Sequence, residues 1–184
     1  MIESPPNLVL GGFMGTGKST VGKLLAARLQ RPFVDTDDLI KRRAGMSIAQ
    51  MFELHGEPYF RGVERQVCLD VASERGQVVA TGGGALLDAA SREAFETGGV
   101  IVLLTCERNA LLARLEESAR LGTRPLIGDD FAAQVDRLLA AREQVYSSFP
   151  LHVDTTNLGP NEVAEHVLAL YHEAIERGVA ACKP

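Results

Sequence analysis

The stretch Gly11-Gly12-Phe13-Met14-Gly15-Thr16-Gly17-Lys18-Ser19-Thr20 is the part of this chain best equipped for chemistry. From Gly12 onward it fits G-x-x-x-x-G-K-[ST], the pattern of a phosphate-cradling P-loop. Glycines at Gly15 and Gly17 let the backbone around Thr16 bring its N–H groups close to an anion. The helix that starts here adds the free N–H groups of its first turn, Thr20 included, and the positive end of its dipole. Lys18 supplies a mobile positive charge for β- and γ-phosphates, and the Ser19 hydroxyl can ligate Mg²⁺. A Gly-rich turn without function is the competing reading. The apolar run Leu8-Val9-Leu10 before the motif and the helical pattern after it favour a nucleotide site.

Other groups with chemical potential follow at wider spacing. Asp35-Thr36-Asp37-Asp38 closes a short strand, Phe33-Val34-Asp35, and in an open parallel α/β sheet ligands bind at that end. Asp37 or Asp38 could equally serve as the N-cap of the next helix. Gly82-Gly83-Gly84 follows the buried strand Gln77–Thr81, leaving backbone N–H groups unscreened by side chains. Arg61 and Glu64 share a helix face at i,i+3. Phe52 and Phe60 fit either a pocket wall or the core. Arg120, Arg124-Pro125 and Gly128-Asp129-Asp130 fall in a stretch without periodicity, 117–130, that suits a mobile loop.

These groups need a scaffold, and the periodicity supplies one. Strands are expected at 7–10, 33–35, 77–81, 99–104 and 151–154. Helices are expected at 19–29, 39–54 with a break at 44–46, 59–74, 87–95, 107–116, 131–145 and 160–176. Ser47 should cap the segment from Ile48, and His55-Gly56-Glu57-Pro58 reads as a turn. In the helix from Phe131, Val135, Leu138 and Leu139 are expected to face inward. Strands alternate with helices throughout, which predicts an α/β fold with a parallel sheet.

A length of 184 residues suits one domain, and 46% hydrophobic with 23% charged residues is ordinary for a globular protein. A net charge of −5 argues against a general nucleic-acid binder, while leaving room for anionic small molecules held by local arginines. The three cysteines, Cys68, Cys106 and Cys182, form no metal-ligand pattern and read as buried or incidental thiols in a reducing compartment. Met1–Pro6 has neither a basic nor an apolar signal region, and no apolar run approaches a membrane span. A cytoplasmic monomer acting on small molecules, with no nucleic-acid or membrane partner, is expected.

Taken in order, Gly12–Thr20, Asp35-Thr36-Asp37, Phe60-Arg61-Gly62-Val63-Glu64, Gly82-Gly83-Gly84, Arg124-Pro125-Leu126 and Arg142 ahead of Tyr146 resemble the shikimate kinase family. That family belongs to the nucleoside-monophosphate-kinase-like P-loop group, and the resemblance covers nearly the whole chain. It implies a three-layer α/β/α fold with a five-stranded parallel sheet in the order 2-3-1-4-5. A substrate-binding helical insertion at about 36–66 and a lid at about 116–130 would rise from one kinase domain. The implied reaction moves the γ-phosphoryl of ATP to the 3-hydroxyl of shikimate, with Mg²⁺ as cofactor.

The resemblance also implies roles. Asp37 would orient the reacting hydroxyl and accept its proton. Asp35 would support Mg²⁺ with Ser19, through a water; Thr81-Gly82 stands where a Walker B carboxylate would be. Arg61 and Arg142 would grip the substrate carboxylate, a task suited to guanidinium, with Glu64 holding Arg61. Gly83 would meet substrate hydroxyls, and Arg124 would close over the phosphates. Arg114 is the match for the arginine beside adenine, with Arg120 as rival, because the spacing from Arg114 to Arg124 is longer than usual. The loop 155–160 would flank the base. Two other functions compete: another small-molecule kinase of this fold, such as a gluconate kinase, and a catalytically silent ligand-sensing module.

Overall fold

A computed structural model describes residues 4–120 and 130–178. Five parallel strands form one sheet in the order β2-β3-β1-β4-β5. They are β1 (Asn7–Gly12), β2 (Phe33–Asp35), β3 (Val78–Ala80), β4 (Gly99–Thr105) and β5 (His152–Asp154). The seven helices of the described residues are α1 (Lys18–Leu29), α2 (Thr36–Ala44), α3 (Ile48–Ser73), α4 (Ala89–Gly98), α5 (Arg108–Arg120), α6 (Phe131–Tyr146) and α7 (Pro160–Glu176).

Side chains alternate across the strands and so feed two cores. Leu8, Leu10, Val78, Val100, Val102 and Val153 pack on α1 and α7 through Val21, Leu25, Val167 and Tyr171. Val9, Val79, Ile101 and Leu103 pack on the opposite layer through Val67, Val71 and Phe95. The central strand β1 is therefore buried on both faces, as a parallel strand must be. Cys68 lies in the second core, where burial pushes its thiol up to about 12 and makes it inert. Cys106 is half-buried, and Cys182 lies outside the described residues. A third cluster, Phe13 with Leu111, Leu115 and Val135, packs the loop after β1 against α5 and α6.

Several expected boundaries move for local reasons. Helix α2 starts directly at Thr36 because Asp35, rather than Asp37 or Asp38, is its N-cap: the Asp35 side chain accepts from Asp37 N. Ser47 does cap α3, in a reciprocal capping box with Gln50. The expected turn at 55–58 is instead a kink at Gly56 (φ 78, ψ 173), with helix on both sides. Pro58 fits because it stands at the start of the second segment, where its missing N–H costs nothing. Helix α5 runs on to Arg120 and so takes the first residues of the expected lid. In α6, Val135 is buried and Leu139 partly so, but Leu138 is exposed.

Because all strands run the same way, their carboxyl ends share one edge. That edge carries the loop from Gly12, the Asp35–Asp37 segment, Gly82–Gly84, Cys106 and Thr155. The order β3-β1-β4 makes the end of β1 a switch point, where connections leave to either side and open a crevice.

Candidate active site

The P-loop wraps the start of α1. Gly17 caps that helix with φ 94 and ψ 10, in the left-handed region that favours glycine. The Thr16 hydroxyl donates to the Phe13 carbonyl at 2.9 Å and is buried, which fixes the loop's curve. Lys18 Nζ donates to the carbonyls of Gly12 (2.7 Å) and Phe13 (2.8 Å), so its ammonium lies across the loop. Ser19 and Thr20 open the helix on its exposed side, and Gly15 has φ 82, with a Cβ there tight against Leu111 and Leu115 at 3.1 Å.

Ser19 Oγ donates to Asp35 Oδ2 at 2.7 Å, joining the P-loop to the end of β2. The other oxygen, Oδ1, accepts from Asp37 N at 3.0 Å. One carboxylate thus caps α2 and presents an oxygen beside Ser19. Hydroxyl and carboxylate oxygens are the donors a hard cation takes. Among the described residues no cluster of three or more His, Cys, Asp or Glu could hold a metal unaided. This pair therefore fits an ion held mainly by nucleotide phosphates and water.

The three glycines after β3 are where the acceptor-side groups converge. A Cβ at Gly82 would lie 2.6 Å from Asp37 Oδ1 and 3.0 Å from Glu64 Oε1. At Gly83 it would lie 3.3 Å from Arg142 Nη1 and 3.5 Å from Met14 N of the P-loop. At Gly84 it would meet Arg61 Nη1 at 2.7 Å. The loop is locked in place by Gly82 N donating to Thr36 Oγ1 (2.8 Å) and by Tyr146 Oη donating to the Gly83 carbonyl (2.5 Å).

Both arginines are held, in different ways. Arg61 Nη1 donates to Glu64 Oε2 at 2.6 Å, while Nε and Nη2 donate to Glu57 Oε1 at 3.1 and 3.0 Å. Burial works against the Arg61 charge, but Glu64 and Glu57 outweigh it and hold its pKa up. Glu64 is itself buried, and burial pushes its pKa above the ordinary value despite Arg61. Arg142 is only 7% exposed, and its guanidinium lies 4.7 Å from the centre of the Phe13 ring. Its Nη1 is buried without a hydrogen-bond partner among the described residues. Burial lowers the pKa of Arg142, though arginine stays charged at any working pH. A buried cation with an unpaired donor beside a bare glycine loop has what it takes to bind an anion.

On the nucleotide side, Arg114 donates from Nη1 to Thr155 Oγ1 (2.9 Å) and from Nη2 to the carbonyls of Thr155 (2.5 Å) and Thr156 (3.2 Å). The middle of α5 and the loop after β5 are thereby joined. Arg120 is exposed in the last turn of α5, and Arg124 lies outside the described residues. Phe60 is buried beside Phe52, ring centres 4.8 Å apart, while Phe52 is 40% exposed.

Three partners went unrecognised in the sequence. Glu57 stands four residues before Arg61, so an i,i+4 pair was a signal available once the turn at 55–58 was known to be helical. Thr155 and Thr156 gave no local signal for their bond to Arg114.

Known proteins share both the sequence and the shape. The family model described as shikimate kinase matches residues 14–172. A shikimate kinase of Caldanaerobacter subterraneus subsp. tengcongensis is 39% identical over 90% of this chain and 95% of its own. One from Geobacter sulfurreducens is 40% identical over 91% of each. The structure of shikimate kinase from Acinetobacter baumannii in complex with shikimate superposes with a TM-score of 0.83 at 35% identity, covering 93% of this chain and 95% of that one. On this evidence the chain belongs to the shikimate kinase family.

Proposed function

We propose that this chain transfers the γ-phosphoryl group of ATP to the 3-hydroxyl of shikimate, giving shikimate 3-phosphate and ADP. The observation that carries the reading is the convergence of Asp37, Arg142 and Arg61 on Gly82, Gly83 and Gly84, next to Met14 of the P-loop. Donor and acceptor sites therefore abut.

Lys18 and the N–H groups of Gly15 to Thr20 hold the phosphates, and Arg114 with Thr155 lines the adenine side. Arg61 and Arg142 take the acceptor carboxylate between them, fixing which hydroxyl faces the nucleotide. Gly83 lets the acceptor ring approach the backbone. Asp37 hydrogen-bonds the reacting hydroxyl; as its oxygen bonds to the γ-phosphorus, the bond from phosphorus to the ADP oxygen breaks and Asp37 receives the proton. In a loose transition state this positioning matters more than basicity. Arg124 neutralises charge on the transferring group. Ser19, with Asp35 through a water, would hold Mg²⁺ together with the nucleotide, and the ion would supply neutralisation of phosphate charge.

In this reading residues 36–66 are the acceptor-binding insertion and 116–130 include the lid of a single domain. The chain works as a cytoplasmic monomer on small molecules alone. No helix among the described residues is long and apolar enough to cross a membrane.

The test is product analysis after incubation with Mg·ATP and shikimate. Phosphorus NMR should show one new monoester, at the 3-oxygen. Phosphorylation of gluconate or a nucleoside monophosphate with none of shikimate would overturn the reading, as would binding of both ligands without turnover.

A further inference from the structure

The kink in α3 has a consequence for the acceptor site. Gly56 (φ 78) breaks the helix, Pro58 restarts it, and Glu57 between them sits one turn before Arg61. There a single carboxylate oxygen, Glu57 Oε1, accepts from both Nε and Nη2 of Arg61. Glu64 Oε2 accepts from Nη1. A guanidinium has five N–H donors, and these bonds use one each on Nε, Nη2 and Nη1. What remains is one N–H on each of Nη1 and Nη2, the two nitrogens that a carboxylate can bridge end-on. Those two nitrogens are also the ones over the glycine loop, 2.7 and 3.4 Å from a Cβ placed at Gly84.

We propose that Glu57 is a positioning residue for acceptor recognition: it occupies the back edge of Arg61 and so presents the Nη1/Nη2 edge to the substrate carboxylate. This rests on the reading that the acceptor is a carboxylate gripped by Arg61 and Arg142. Arg61 is 39% and Glu57 60% exposed at the side chain. Without Glu57 the guanidinium could turn about its stem, and the Nε/Nη2 edge would compete for the same ligand. Glu57 thus lowers the ordering cost of binding. Because Glu57 also carries a negative charge near an anionic substrate, its removal could act the other way, which makes the sign of the effect decisive.

The experiment compares wild type, Glu57→Ala and Glu57→Gln, each alone and in an Arg61→Ala background. It measures shikimate and ATP KM, kcat, and shikimate Kd by calorimetry. An exposed ion pair is of modest strength, so Glu57→Ala should raise shikimate KM and Kd by about two- to fivefold. ATP KM and kcat should stay as they are. Glu57→Gln, which keeps an acceptor oxygen, should recover part of the loss. In the Arg61→Ala background the substitution should add nothing. An unchanged or lowered shikimate KM in Glu57→Ala overturns the proposal, the latter by making Glu57 a competitor of the substrate. So does an equal rise in both KM values, or the same loss without Arg61. Failure of the wild type to bind or phosphorylate shikimate overturns the functional reading and this inference together. An active wild type with any of the other contrary results overturns this inference alone.

Discussion

Substitution of Gly82 by alanine separates what the glycine loop does for folding from what it does for catalysis. The added methyl would lie 2.6 Å from Asp37 Oδ1 and 3.0 Å from Glu64 Oε1. Ordinary contact is about 3.5 Å, so the Asp37 carboxylate must withdraw by about 1 Å. Gly82 has no left-handed φ, so alanine is free of backbone strain there. The clash is with the end of a side chain that can turn aside, and overpacking of this kind costs about 1–3 kcal/mol. A narrower unfolded ensemble returns about 0.4–1 kcal/mol of that. The protein therefore stays folded. Catalysis does not escape so lightly, because a misplacement of about 1 Å in a reacting group costs on the order of a hundredfold in rate. That is about 2.7 kcal/mol of barrier.

A coupled assay of ADP release, with shikimate and Mg·ATP each varied, reads the outcome. Gly82→Ala should lower kcat on the order of a hundredfold with ATP KM unmoved, because the P-loop is untouched. The control is Gly62→Ala in α3, where a Cβ would meet nothing within 4 Å. That variant should gain about 0.5–1 kcal/mol of stability as a helical glycine is replaced, and keep wild-type kcat. A Gly82→Ala enzyme with kcat within about threefold of wild type would refute the placement of Asp37 at the reacting hydroxyl. A loss of rate matched in Gly62→Ala would refute it too, by making the effect one of general destabilisation.

Arg142 and Asp88 give two further expectations. Arg142→Met removes a buried cation whose Nη1 has no partner among the described residues, so the melting midpoint should hold or rise, while shikimate KM should climb about 10- to 100-fold with ATP KM unchanged; a lowered midpoint with an unaltered shikimate KM would mean a purely structural arginine. Asp88 caps α4 through Ser91 N (2.9 Å) and accepts from Arg65 Nε (2.9 Å), and mainly the bond to Arg65 lowers its pKa from 3.8 to about 2. A carboxylate depressed in the native state contributes stability above its unfolded pKa and loses it as pH falls through the native one. Asp88→Asn, which keeps the cap, should be less stable than wild type in urea at neutral pH, and the gap should close as pH falls from 3.8 towards about 2; a gap that persists or widens at the acid end would refute the assignment.

How far the sequence could be read depended on how local each determinant is. The P-loop, the Ser47 capping box and the Arg61–Glu64 pair are all set within a few residues, and each was legible. So was the sheet, because β1 and β4 are continuous apolar runs buried on both faces. The kink at Gly56 was misread as a turn, since Gly and Pro together signal a chain reversal more often than one residue of left-handed φ between two helical segments. Which aspartate caps α2 turned on where β2 stops, a matter of pairing with β3 that Asp35 to Asp38 do not reveal. Leu138 and Leu139 are adjacent on a helix and about 100° apart, and only Leu139 falls on the side of α6 that packs with Phe13 and Leu111. For Arg142, periodicity alone gives no sign of burial, which comes from the packing of α6 against Phe13.

The acceptor site was the least legible part in its geometry, and the reason lies in the glycine loop. In sequence Gly82-Gly83-Gly84 says only that three side chains are missing. In the fold each absence has its own cause: Asp37 from α2 and Glu64 from α3 at Gly82, Arg142 from α6 at Gly83, and Arg61 from α3 at Gly84. Those elements are separated along the chain and meet only because β3 lies between β2 and β1. The strand order thus decides that Asp37, the two arginines and the P-loop face one crevice. A side chain at Gly82 or Gly84 would press on Asp37 or Arg61, which is why the loop, more than any single charged residue, sets the geometry of this crevice.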